Sequence, residues 1–196
     1  MNTVATQCSV ALKEWAVTCQ ALREGRQIIL LRKGGILDDE GVFALEHTAF
    51  WLQPTYEHQN ESLVKPAHRD LFATVREAHR AGENRRFIAL QSFAVVERVF
   101  TLTLEDEDKL HAARHIWSDD YLALRFGYKP ERALLCVALR VYEEAAPHLV
   151  PMRDAFFGCR SWIDLEAPLD VGTARPVLDD TAFARYAAKL AETLES

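Results

Sequence analysis

Apolar positions recur along the chain in blocks whose period changes, and those changes mark its elements. Leu12, Trp15, Ala16, Cys19 and Leu22 fall at helical spacing and predict an amphipathic helix over residues 9–24, capped by Ser9 and ended by Gly25. Residues 27–32 then read as a strand, with a tight turn at Gly34-Gly35 that needs positive φ. After a second turn at Asp38-Asp39-Glu40-Gly41, residues 42–46 and 50–53 read as two short strands, the second closed by Pro54. Lys65-Pro66 opens a helix that runs to Ala81 with Leu71, Phe72, Val75, Ala78 and His79 on its apolar face.

The second half opens on the strongest β signal, residues 87–104, rich in Phe, Val, Ile and Thr and interrupted at Glu97-Arg98, where a bulge is expected. The acidic run at residues 105–108 suits the first turn of a short helix carrying Leu110, His111 and Arg114. Ser118-Asp119-Asp120 is a capping signal for a helix through Phe126, ended by Gly127 and Pro130. Residues 133–142 are apolar except for Arg140 and predict a strand central in a sheet. An irregular stretch holding residues 156–162 follows Pro147 and Pro151, then an edge strand at Ile163-Asp164-Leu165 and a terminal helix over residues 181–194 with Phe183, Tyr186, Ala187 and Leu190 on one side. Strands and helices mix without strict alternation. The expected class is therefore α+β, a mostly antiparallel, curved sheet decorated with helices.

Composition narrows the class without naming a function. The 196 residues fit a single domain, 1–196, read as a core over 9–166 and a C-terminal extension over 167–196 with the terminal helix. A net charge of −6 argues against a generally basic protein that coats nucleic acid. The charge is uneven, however: Lys65, Arg69, Arg76, Arg80, Arg85 and Arg86 face only Asp70, Glu77 and Glu83 in the same segment. No apolar run approaches the roughly 20 residues that cross a bilayer, and residues 1–9 lack a secretory pattern, so a cytoplasmic setting is expected. Cys8, Cys19, Cys136 and Cys159 form no C-x-x-C pair, which speaks against structural zinc, and Cys19 and Cys136 read as core.

Chemistry concentrates in the first third. Arg32-Lys33-Gly34-Gly35 places two cations at a strand end beside exposed backbone N–H groups, a cradle for phosphate or carboxylate or, on the simpler reading, a solvated hairpin tip. It is not a P-loop. Glu46, His47 and His58 form an acid–base set, although neighbours in a strand point to opposite faces. Glu14 is a further carboxylate for hydrolytic chemistry. Trp51 and Tyr56 supply rings able to stack on a base.

His111 and His115 share the i, i+4 spacing of a zincin pair, but Ala112 stands where the glutamate belongs. Glu107-x-Lys109 suits a metal-dependent nuclease or simply a charged helix start, and Phe157-Gly158-Cys159-Arg160-Ser161-Trp162 a thiol site or a packed loop.

Ala11-Leu12-Lys13-Glu14-Trp15-Ala16-Val17, the runs 27–36 and 50–59, and Gly158-Cys159-Arg160-Ser161-Trp162 together resemble a bacterial family known only as a domain of unknown function, DUF1802, over residues 11–165. That resemblance implies no activity. A more distant similarity in the order of elements is to PUA-like folds, including ASCH domains: Gly25-Arg26-Gln27-Ile28 after a first helix, then the runs 87–104 and 133–142. The 50–58 phrase departs from that pattern. The similarity implies a partly closed barrel and recognition of RNA or a modified base in a cleft.

Three functions are thus compatible with the sequence. The first is binding of RNA, DNA or a nucleotide through Arg32, Lys33, Trp51, Tyr56 and His58. The second is a hydrolase, a metal-dependent nuclease among them, using Glu14, Glu46 and His58. The third is a non-catalytic interaction module. No cofactor, metal or oligomeric state is implied.

Overall fold

The computed structural model of the chain describes residues 6–33, 45–57, 59–81, 86–157 and 161–196. The turns at Gly34-Gly35 and residues 38–41, most of the predicted strand 42–46, His58 and Gly158-Cys159-Arg160 lie outside the described residues.

In chain order the elements are β1 (Gln7–Trp15), α1 (Ala16–Arg23), β2 (Ile29–Arg32), β3 (Ala49–Thr55), α2 (Leu71–Ala81), β4 (Phe87–Leu102), α3 (Glu107–Ala112), α4 (Asp119–Gly127), β5 (Leu134–Pro151), β6 (Trp162–Asp170), β7 (Arg175–Pro176) and α5 (Asp180–Glu195). The strands form one open, curved sheet in the order β2-β5-β4-β3-β1-β6, with β7 paired to β5. Every pairing is antiparallel except β1 with β3. This is the α+β, mostly antiparallel architecture expected from the sequence. No described helix is long and apolar enough to cross a membrane.

The long hairpin of β4 and β5 bends the sheet at two places. Its register shifts between Val96 and Arg98, where the sequence placed a bulge, and again between Leu90 and Ser92. At the second shift the three residues of β4 from Leu90 to Ser92 oppose the six from Glu143 to His148, and Pro147 sits there, in unladdered backbone that can spare its missing N–H. The strand therefore runs on past Tyr142, where the sequence ended it, to Pro151.

Both faces of the sheet are covered. Along β5, Leu134, Cys136 and Ala138 join one core cluster while Leu135, Val137, Leu139 and Val141 join another. A strand buried on both sides needs apolar residues at every position, so it reads as a continuous run. The same double burial explains why the first element departs from expectation. Residues 9–24 are not one helix: β1 occupies 7–15, and α1 starts only at Ala16. Ala11 and Leu12 are adjacent and both buried, because β1 is flanked by β3 and β6 and packed on either face. A pair of buried neighbours mimics the i, i+1 edge of a helical stripe. The helix expected from Lys65 likewise splits, into a 3-10 turn at Pro66–His68 and α2.

Gly25 ends α1 as the sequence suggests. Its φ is +62°, its N–H bonds the Leu22 carbonyl at 3.1 Å, and the Arg26 N–H reaches the Ala21 carbonyl at 2.9 Å, a Schellman ending. A Cβ here would stand 2.7 Å from Leu178 Cδ2. Gly25→Ala should lower stability by at least about 1–2 kcal/mol for the left-handed backbone alone. Urea unfolding reads this directly, and an unchanged midpoint would show that α1 is not ended by this residue's conformation.

His115 is buried after α3, its Nε2 2.9 Å from the Leu110 carbonyl and its Nδ1 accepting from the Trp117 N–H at 3.2 Å. Both bonds fit the neutral Nε2–H tautomer, and a second ring proton would meet a donor. Burial, with Lys65 adding to it, lowers the pKa from 6.5 to about 4. Because the folded value lies below the unfolded one, the unfolded chain takes the proton first as pH falls. The contribution is complete above pH 6.5 and is lost between 6.5 and about 4, on the order of 3 kcal/mol in all. An NMR titration should place the His115 midpoint near 4, and a midpoint at or above 6 would contradict this environment.

Candidate ligand-binding cleft

Curling of the open sheet brings the C-terminal ends of β1, β2 and β3 towards α2 and α4, and a cleft of about 820 Å³ remains between them. The parallel pairing of β1 and β3 sets its floor, with Lys13 opposite Gln53, Glu14 opposite Pro54 and Trp15 opposite Thr55. Pro54 does not close β3 as its type suggests. Pairing with β4 stops at Leu52, so no ladder bond to β4 is lost at the proline and the strand runs on to Thr55.

Arg32 reaches this floor from the far edge of the sheet. One of its nitrogens, Nη2, lies 2.8 Å from Glu14 Oε2 and donates to the Lys13 carbonyl at 2.7 Å. Glu14 Oε1 accepts from the Trp15 N–H at 2.7 Å, and the Thr55 hydroxyl donates to the Glu14 carbonyl at 3.0 Å. Arg125, on α4, also lines the cleft and donates to the Leu31 carbonyl at 3.3 Å. Among the described residues no carboxylate pairs with it.

Rings form the walls. Trp15 packs on Tyr121 with ring centroids 5.4 Å apart, Tyr121 stacks on Trp117 at 5.4 Å and 12°, and Trp117 lies 5.5 Å from His115. This ladder carries the wall inward to the buried imidazole. Across the cleft Tyr56 stacks on His79 of α2 at 4.4 Å. Burial pushes Tyr121 up to about 12 and raises Tyr56 as well, so both phenols stay neutral at ordinary pH. Phe87, Leu124, Tyr128 and Phe157 line the mouth, each more than half exposed. Burial leaves three atoms of the cleft residues without a hydrogen-bond partner: Nε of Arg32, Nε of Arg125 and Oε1 of Gln53. Such groups are uncommon in native proteins and call for an explanation.

Of the residues singled out from sequence, Glu14, Arg32 and Tyr56 meet here. Trp51 does not. It is fully buried, edge-on to Phe93 and His148, with its indole N–H on the Cys8 carbonyl, so its ring faces cannot receive a base. Phe50 and Trp51 point to opposite sides of β3, and both sides are core. Lys33 is buried too. Its Nζ donates to the Phe126 carbonyl at 2.7 Å, where it serves the C-terminal end of α4. Burial lowers its pKa, and Arg125 lowers it further.

Glu46 stands at the surface with its carboxylate 4.0 Å from His47, and neither lines the cleft. His58 lies outside the described residues, so the set Glu14, Glu46 and His58 is not assembled among them. His111 turns to Asp119 and Glu107 while His115 is buried, so the pair shares no face. Lys109 pairs with Asp106 of a capping box. No group of three metal-ligating side chains occurs among the described residues. Cys19 and Cys136 are core as read, with burial pushing Cys136 up to about 12. Sequence reasoning missed Gln53, Thr55, Tyr121 and Arg125, which carry no motif and come together only through the curl of the sheet.

No curated protein matches the chain. Two crystal structures of variants of ZmASCH, from Zymomonas mobilis, are similar to it. The tyrosine-to-phenylalanine variant shows 11% identity and a TM-score of 0.45, covering 79% of this chain and 88% of that one. The serine-to-alanine variant shows 10% identity and a TM-score of 0.46, covering 95% and 99%. A family model matches residues 11–189, nearly the whole described core, and the chain belongs to the family of the domain of unknown function DUF1802.

Proposed function

We propose that the cleft binds a nucleotide or a short single-stranded nucleic acid, most simply RNA, with a base against the aromatic walls and a phosphate on Arg125 and Arg32. The observation that carries this reading is the pairing of two partly satisfied guanidinium groups with neutral rings in one recess. Guanidinium donors match phosphate oxygens, and every base offers a face to an aromatic ring. Arg32 is held by Glu14 and keeps its position before a ligand arrives, whereas Arg125 has no such counter-ion among the described residues. The exposed rings at the mouth suit neighbouring bases of a strand.

The hydrolase reading draws less support. Glu14 spends one oxygen on Arg32 and the other on the Trp15 N–H, which leaves it poorly placed to take a proton or hold a metal.

Anisotropy of a labelled RNA pentamer titrated with the full chain tests the proposal. Affinity should fall as salt rises, and Arg125→Ala should flatten the slope of log affinity on log salt by about 0.7, the value for one phosphate contact on a single strand. Tyr56→Ala should weaken binding by about 1–3 kcal/mol, the size of one stacking contact, with little change in that slope. No binding at low salt, or binding indifferent to both substitutions, would refute the assignment.

A further inference from the structure

We propose that Gln53 is the base-reading residue of the cleft, its side-chain amide pairing with the free hydrogen-bonding edge of one unpaired base. The inference rests on the nucleotide reading above and adds the part of the ligand that is recognised.

Gln53 is 5% exposed, lines the cleft, and has an amide oxygen that accepts no hydrogen bond. A buried acceptor left open is costly, while an apolar side chain of similar shape would remove the cost. The residue therefore stands where stability alone would favour leucine. Its register partner across the β1–β3 pair is Lys13, whose carbonyl holds Arg32. Gln53 and Arg32 thus meet the same residue of β1, Gln53 across the ladder and Arg32 through the Lys13 carbonyl, and both line the cleft.

The open atom is an acceptor, so it repels phosphate oxygens and calls for an N–H. Base edges present an N–H next to an acceptor, and a side-chain amide answers both at once. A residue this buried can meet such an edge only if no second strand is paired to it. The ligand is therefore single-stranded at this position, and Thr55, two residues along the same strand, lines the cleft on the same side.

The test uses the full chain with three labelled probes carrying equal numbers of phosphates: single-stranded RNA pentamers, an abasic pentamer and a blunt RNA duplex. Wild type should bind the pentamers best. Gln53→Leu should weaken pentamer binding about ten- to hundredfold, the range for one bidentate base contact, with abasic binding kept within about twofold. Its melting temperature should hold or rise, whereas a merely structural glutamine would give a drop.

Gln53→Glu keeps an acceptor and replaces the donor by a second acceptor. It should move the rank order of the four homopolymers towards guanine, which offers two adjacent N–H groups. Equal pentamer affinity for wild type and Gln53→Leu, or an unchanged rank order in Gln53→Glu, would overturn the role of Gln53 alone. A wild-type chain that binds none of the probes would overturn the nucleotide reading and this inference with it.

Discussion

The contact between Arg32 and Glu14 ties together what the backbone leaves apart. β2 and β6 end the sheet, β1 lies next to β6, and no ladder among the described residues joins β2 to β1. The guanidinium of Arg32 spans that gap, reaching a carboxylate and a carbonyl of β1 from the last residue of β2. Both side chains are largely shielded from water, so breaking the pair by removing one partner would strand a charge. The curl is helped by the short helix α1, which links β1 directly to β2 and whose N-terminal Val17 N–H is bonded by Gln59 at 2.8 Å. The cleft is the opening that this side-chain closure leaves unfilled.

Around that opening, order is imposed from the core outward. The imidazole of His115 is fixed by two backbone groups, Trp117 follows it, and Tyr121 and Trp15 complete a column of rings that ends at the cleft. On the other side α4 is held to β2 twice, through Arg125 on the Leu31 carbonyl and Lys33 on the Phe126 carbonyl. Side chains set in this way lose little freedom when a ligand binds, which favours affinity. Lys33, on the Phe126 carbonyl, fixes the end of α4 beside the cleft.

Much of the fold is legible in the sequence because its signals are local. The bulge at Glu97-Arg98, the Ser118 cap, whose hydroxyl accepts from the Tyr121 N–H, and the stripe of the last helix need no knowledge of distant partners. The first strand is not legible, because Ala11 and Leu12 are buried on opposite faces by neighbours remote in the chain. The site divides along the same line. Arg32, Tyr56 and Glu14 sit in phrases dense with chemistry, whereas Arg125 resembles any solvated helix arginine and Gln53 any strand glutamine until the sheet curls. Trp51 misleads for the converse reason, being chemically suited to stacking yet placed in a strand covered on both sides.

The partnership of β1 with β6 has a consequence for how the molecule comes into being. Gln7 pairs with Asp170 and Leu12 with Trp162, so β1 is made long before the strand that pairs with it. Its parallel partner β3 is made early, but parallel pairing lacks the support of a tight hairpin and closes slowly. Until β6 is made, residues 7–12 of β1 lack their antiparallel partner. A product truncated before β6 would leave β1 an unpaired edge, open to pairing with another chain.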